Sequence, residues 1–448
     1  MNETTLAQLL DIARQHQEAG RLEEAIETYR RALALQGDLV AAHVNLGTAA
    51  AMLNRWDDAI AAFRHAVALR PDLPEIHYNL ATALQSNEQR EEATVVCQRA
   101  LALRPQDARG WCELGNLYAE QGRHQEAIDA FERALKIQND SALAHMNLGS
   151  VLLRRGDFAR GWPEFEWRLR LPHLNLARDF PQPQWKGEPI LGQRILLHAE
   201  GGFGDAIQFV RYAPDVAKRG ATVLLECQPT LVPLLRRAAG ISAVIGRGQA
   251  LPPFDWQAPL QSLPLALGTT LATIPAQVPY LSPPPHLVAG WKEKLAAHAS
   301  LKIGLVWAGS DDAFRSNRLD VFAPLAAVAG RVGARFFSLQ KGAGAEQARQ
   351  PPAGLELIDW TEQLHDWADT AALIHHLDLV IGVDTAAVHL AGALGKKVWV
   401  LLPTFADFRW LLDRTDTPWY PTMRLFRQVR QGDWTQPIQQ MVQALSAL

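Results

Sequence analysis

Cysteine is scarce in this chain, with three among 448 residues (Cys97, Cys112 and Cys227) and none at metal-ligand spacing. That excludes a disulfide scaffold and points to free thiols in a cytosolic protein. An excess of one charge is lacking too. The 44 basic and 47 acidic side chains leave a formal charge of −3, so nothing argues for nucleic acid as a partner. No apolar run is long enough to cross a membrane, and the opening residues 1–8 lack the basic end and apolar core of a signal peptide. The expected localisation is therefore cytoplasmic, with peripheral membrane contact left open. What remains is an ordinary globular balance, 48% hydrophobic and 20% charged, in a chain long enough for two or three domains.

What is present begins with a repeat. Units of 34 residues start near positions 7, 41, 75, 109 and 143. Their seventh column holds Ala13, Gly47, Ala81, Gly115 and Gly149, and their twenty-third holds Tyr29, Phe63, Cys97, Phe131 and Phe165. Small residues let two helices approach, and the large ones are expected to fill the gap between successive pairs. Pro71 and Pro105 stand where helices must end. The fifth unit drifts, with Arg168 where the others have alanine and with Trp162, Phe165 and Trp167 added. A terminal unit so rich in aromatics is expected to dock on the next domain. The period and the small/large pattern resemble the tetratricopeptide repeat.

Such an array implies a groove for an extended protein or peptide partner. Asn45, Asn79 and Asn147 share the fifth column, where an amide can both donate to and accept from a peptide backbone. This column lines the acceptor groove in the nucleocytoplasmic O-linked N-acetylglucosamine transferase, which the array resembles. Asp11 and Glu113 interrupt the column, and the asparagines read equally well as helix-packing amides.

Beyond a proline-rich junction at residues 171–192, the periodicity becomes alternating strand and helix. Strands are expected at residues 195–199, 221–226 and 243–245, with helices at 205–219 and 231–238. A second set of strands is expected at 302–308, 335–339, 377–381 and 398–402. The segment Asp378-Leu-Val-Ile-Gly-Val-Asp-Thr-Ala-Ala-Val-His-Leu-Ala-Gly-Ala-Leu394 reads as a buried strand running into a helix opened by Asp384 and Thr385. The small residues Thr385, Ala386 and Ala387 leave backbone N–H groups open to an anion such as a diphosphate.

Two doubly wound halves, residues 193–290 and 291–448, following an α-solenoid at 1–170, resemble the GT-B fold of nucleotide-sugar glycosyltransferases. The residue-level resemblance is to the heptosyltransferase-like family and to bacterial proteins that join that module to tetratricopeptide repeats. It rests on Gly202-Phe-Gly-Asp205, on Trp307-Ala-Gly309 with Asn317-Arg318 downstream, on Ser338-Leu-Gln-Lys341, and on Gly382-Val-Asp-Thr385 with His389. The resemblance implies an inverting, metal-independent transferase with no resident cofactor, the nucleotide-diphosphate sugar being a co-substrate. Asp205 would be the general base. Lys341, Gln340, Arg318, Asp384, Thr385, Ala386 and His389 would line the donor site in the second half. Read from the residues alone, Asp205 and Asp384 serve equally as helix caps, Lys341 as a solvated lysine and His389 as a packed ring. The competing functions are a non-catalytic repeat scaffold with a sugar- or nucleotide-binding module, and a transferase of lipopolysaccharide or capsule assembly. The aromatic segment at residues 403–410 is expected either to cover the site or to pack between the halves, and the last helix to cross back to the first half.

Overall fold

The computed structural model describes residues 5–298, 301–309 and 319–448. The chain divides into two compact units, Met1–Val151 and Leu152–Leu448.

The first unit is a run of helix hairpins: Leu6–Glu18 with Leu22–Leu35, Val40–Met52 with Trp56–Leu69, Pro74–Ser86 with Arg90–Leu103, and Ala108–Glu120 with His124–Ile137. Acidic pairs such as Glu23–Glu24 and Asp57–Asp58 occupy the first turns, where the helix dipole favours them. A side chain at Gly47 would lie 2.7 Å from the Phe63 ring, and one at Gly115 would lie 2.6 Å from the Phe131 ring. The large residue thus fills the space within its own hairpin, and the small residue opposite it makes that space. This corrects the expectation that it fills the gap between successive pairs.

One further column emerges at the hairpin turns. Gly20, Asn54, Glu88, Gly122 and Gly156, each 34 residues after the last, all adopt positive φ. Glycine enters that conformation without a Cβ clash and asparagine tolerates it, whereas glutamate does not favour it. The fifth hairpin straddles the division: Ala142–Arg154 begins it, and Phe158–Phe165 lies in the second unit.

The second unit holds two parallel sheets covered by helices. In the first, strands β1 (Arg194–His198), β2 (Thr222–Cys227), β3 (Ala243–Gly246) and β4 (Trp256–Pro259) lie in the order β3-β2-β1-β4. In the second, β5 (Leu301–Val306), β6 (Ala334–Ser338), β7 (Leu357–Ile358), β8 (Leu379–Val383), β9 (Lys397–Leu402) and β10 (Met423–Arg427) lie in the order β10-β9-β8-β5-β6-β7. Buried on both faces, β1, β5, β8 and β9 read as apolar runs, which is why they were legible.

Two expectations fail here. The helix at 205–219 is three short pieces, Phe203–Phe209, a 3₁₀ turn Val210–Tyr212 and Ala213–Ala217, because Pro214 has no N–H with which to continue the ladder. The last helix, Thr435–Ser446, does not cross back. Its Ile438, Met441 and Leu445 join the core beneath the second sheet with Ile303, Phe336 and Ile381.

Candidate functional site

In each sheet the strand order reverses once, between β1 and β4 in the first and between β5 and β8 in the second. Open parallel sheets bind ligands at the carboxyl ends of the strands flanking such a reversal. The loop after β1 carries Glu200 to Asp205, and the turn after β8 carries Asp384 and Thr385. Both sequence-singled loops therefore stand at switch points.

Asp205 sits in the first turn of Phe203–Phe209, where its Oδ2 accepts the Gly202 N–H at 3.0 Å. Its Oδ1 accepts from Arg409 Nη2 at 2.7 Å. The carboxylate is thus a cap and half of an ion pair, with about a fifth of its side chain exposed. Gly204 lets this helix press against Ala386–Ala393, because a Cβ there would lie 3.0 Å from the His389 ring.

Asp384 does not cap its helix. Thr385 is the N-cap residue, and no side chain bonds into the first turn. The Asp384 carboxylate instead accepts from His389 Nε2 at 3.2 Å and from Trp410 Nε1 at 2.6 Å. Burial works against its charge, but His389, Arg409 and the indole N–H hold its pKa below the usual carboxylate value. His389 is buried, stacked on Trp410 and bonded through Nδ1 to the Tyr420 hydroxyl at 3.0 Å. Both of its ring nitrogens therefore have partners within the fold. Ala386 opens the helix, and the Thr385 hydroxyl beside it is buried without a partner.

Arg409, which sequence reasoning passed over, joins these two groups. It reaches Asp205 at 2.7 Å and Asp407 at 3.2 Å, and its neighbour Trp410 holds Asp384. Burial disfavours the guanidinium charge, yet the surrounding Asp407, Asp205 and Asp384 raise its pKa. The available signal was the Phe-Arg-Trp run at 408–410 in the loop after β9. That loop packs the interior: Phe408 meets the Trp162 and Phe165 rings edge-on at 5.6 and 5.2 Å. The aromatic end of the fifth hairpin is thereby docked on it.

The remaining donor-side residues form a separate group around β6. Lys341 is exposed, and its ammonium donates to the Leu364 carbonyl. Gln340 is buried and staples two loops together. Its Oε1 accepts the Trp307 and Ala308 N–H groups at 3.0 and 2.8 Å, and its Nε2 donates to the Ala343 carbonyl at 2.8 Å. Arg318 lies outside the described residues. The fold thus brings Asp205, Asp384 and His389 into one network and leaves Lys341 and Gln340 in another.

The asparagine column also divides. Asn147 Nδ2 donates to Asn116 Oδ1 at 2.8 Å and so links neighbouring repeats, and Asn45 lies near the Tyr29 hydroxyl of the repeat before it. Asn79 is half-buried and makes no such bond among the described residues.

The drifting Arg168 has a clear place. It is 2% exposed and donates to Glu200 Oε1 at 2.6 Å, Ser262 Oγ at 2.9 Å and Glu166 Oε2 at 2.9 Å. Glu200 and Ser262 follow β1 and β4, so this arginine braces the first switch point.

Comparison with known proteins bears on the repeats. Tetratricopeptide-repeat models match residues 10–74, 52–112, 96–129 and 115–156. Protein FlbA of Caulobacter vibrioides is 29% identical over 313 residues, which is 64% of this chain and 52% of that protein. The chain therefore spans about half the length of that curated relative. Among solved structures, MamA is 25% identical with a TM-score of 0.34, covering 36% of this chain and 93% of its own. YrrB, described as a TPR protein with an unusual peptide-binding site, is 21% identical with a TM-score of 0.34, covering 38% and 87%.

Proposed function

We propose that the chain is a metal-independent, inverting glycosyltransferase of GT-B type that follows an N-terminal array of tetratricopeptide repeats, with no helix among the described residues long and apolar enough to cross a membrane. It would move a sugar from a nucleotide-diphosphate donor to a protein or peptide held by the repeats. The observation that carries this reading is the convergence of two switch points, from separate parallel sheets, on the linked Asp205, Arg409 and Asp384. A transfer between two substrates needs two such sites facing one another. In the step itself, an acceptor hydroxyl oxygen bonds to the anomeric carbon as the bond to the diphosphate breaks. The nucleoside diphosphate leaves with the electron pair, and Asp205 takes the hydroxyl proton. A carboxylate paired with arginine is a weak base, so substrate binding would have to draw Arg409 away.

The test is calorimetric titration with UDP, GDP, ADP and dTDP without added metal. One nucleotide is expected to bind, more weakly in Lys341→Ala. Asp205→Asn should lower turnover by about a hundredfold or more while leaving that binding intact. Failure of every nucleotide to bind would sink the transferase reading. It would favour a repeat scaffold, a second reading that has support in the pairing of Asp205 with Arg409 and of Asp384 with His389 and Trp410.

A further inference from the structure

Most buried arginines of the second unit have charged or carbonyl partners among the described residues, although Nε of Arg168 and of Arg409 makes no hydrogen bond. Arg168 meets two carboxylates, Arg409 meets Asp205 and Asp407, and Arg211 bonds the Tyr280 hydroxyl together with the Gln208 and Trp419 carbonyls. Arg154, the last residue of Ala142–Arg154, is 6% exposed, and its Nε and Nη1 have no acceptor. Its guanidinium lies 3.8 Å from the centre of the Phe405 ring, which is itself 42% exposed. The nearest acid of that loop, Asp407, attracts Arg154 without pairing with it, while its Oδ1 accepts the Arg409 N–H at 3.0 Å and lies 3.2 Å from Arg409 Nε.

A second cation stands close by. Among the described residues Arg427, at the end of β10, donates to the Arg414 and Trp410 carbonyls alone. Among the described residues neither arginine has a carboxylate within ion-pair distance. Burial lowers the pKa of each to about 10, against the attraction of Asp407 for Arg154 and of Asp413 for Arg427, and Arg427 adds repulsion at Arg154. A guanidinium buried with unmatched donors beside a second cation is an unfavourable arrangement unless an anion joins it. The rigid fork of arginine fits phosphate oxygens two at a time, and two cations suit a doubly charged group.

We propose that Arg154, backed by Arg427 and covered by Phe405, binds a phosphoryl dianion, supplied either as free phosphate or as the terminal phosphate of a nucleotide. This site is distinct from Lys341 and does not depend on the transferase reading.

The test uses the full chain, titrated at constant ionic strength with inorganic phosphate, with a nucleoside diphosphate, and with acetate as the control. Arg154→Met keeps the length of the side chain and removes the fork. Phosphate or the nucleotide should bind the wild type better than acetate does, and Arg154→Met should weaken that binding about tenfold or more. Without added anion, Arg154→Met should melt at the wild-type temperature or above it, because an unmatched buried charge is gone. Dependence on Arg154 for free phosphate identifies free phosphate as sufficient, and dependence for the nucleotide alone identifies the nucleotide. Binding that is absent, no better than acetate, or unchanged in Arg154→Met overturns the proposal. A lower melting temperature of Arg154→Met in anion-free buffer also overturns it, by making the guanidinium a packing element on Phe405.

Discussion

Single side chains here changed meaning once their surroundings were known. Asp205 and Asp384 look alike in the sequence, each following a strand and opening a helix. In the fold, one caps its helix while the other leaves its helix uncapped and grips His389 within that helix and Trp410 outside it. His198, an unremarked residue of β1, is 2% exposed and bonded to Gln257 Oε1 at 2.9 Å. Burial lowers its pKa to about 4, with Arg178 and Arg247 adding to the effect. The unfolded chain then binds a proton that the folded chain refuses, so stability falls as the pH drops from about 6.5 towards 4. The loss is on the order of 3 kcal/mol. Denaturant titrations at pH 7 and pH 4.5 should show a smaller difference in His198→Gln than in the wild type. An equal difference would assign the acid sensitivity elsewhere.

At the scale of elements, the repeat was legible because each hairpin has the same packing problem and solves it with the same residue sizes. Gly47 under Phe63 and Gly115 under Phe131 are that solution, written into two columns. The turn column shows the same logic with a flaw. Glu88 holds φ +61° where Gly20, Gly122 and Gly156 sit without a Cβ clash. Glu88→Gly should stabilise the protein by about 1 kcal/mol, measured by denaturant unfolding. No gain would mean that the entropy lost by glycine offsets the strain relieved. Strands β4, β7 and β10 escaped notice for reasons equally local. Trp256–Pro259 ends in proline, Leu357–Ile358 is two residues long, and Met423–Arg427 carries arginine at two of five positions. Pairing with β1, β6 and β9, and not any apolar run of their own, makes them strands.

At the scale of the molecule, buried charges tie distant segments of the second unit together. Arg168 joins the end of the fifth hairpin to the loops after β1 and β4, and Arg211 joins Tyr280 to the Trp419 carbonyl. Arg168→Met should destabilise by about 3–5 kcal/mol, because it leaves Glu200 buried without its partner. Adding Glu200→Gln should recover part of that loss, as read from melting temperatures. A double variant as unstable as the single one would show that packing, rather than the stranded charge, sets the cost.

The sequence by itself determined the repeat array, the alternation of strand and helix, and the polar loops after β1 and β8 that stand where the strand order reverses. Each of these follows from periodicity, or from the polar and glycine residues that end a buried strand, which neighbouring residues settle among themselves. The tertiary structure alone decided which residues share a network. Asp205 and Arg409 are 204 positions apart, and Lys341 and Gln340 fall into a separate group. Charge pairing across such distances depends on how the sheets and their covering helices pack, and no local pattern records it.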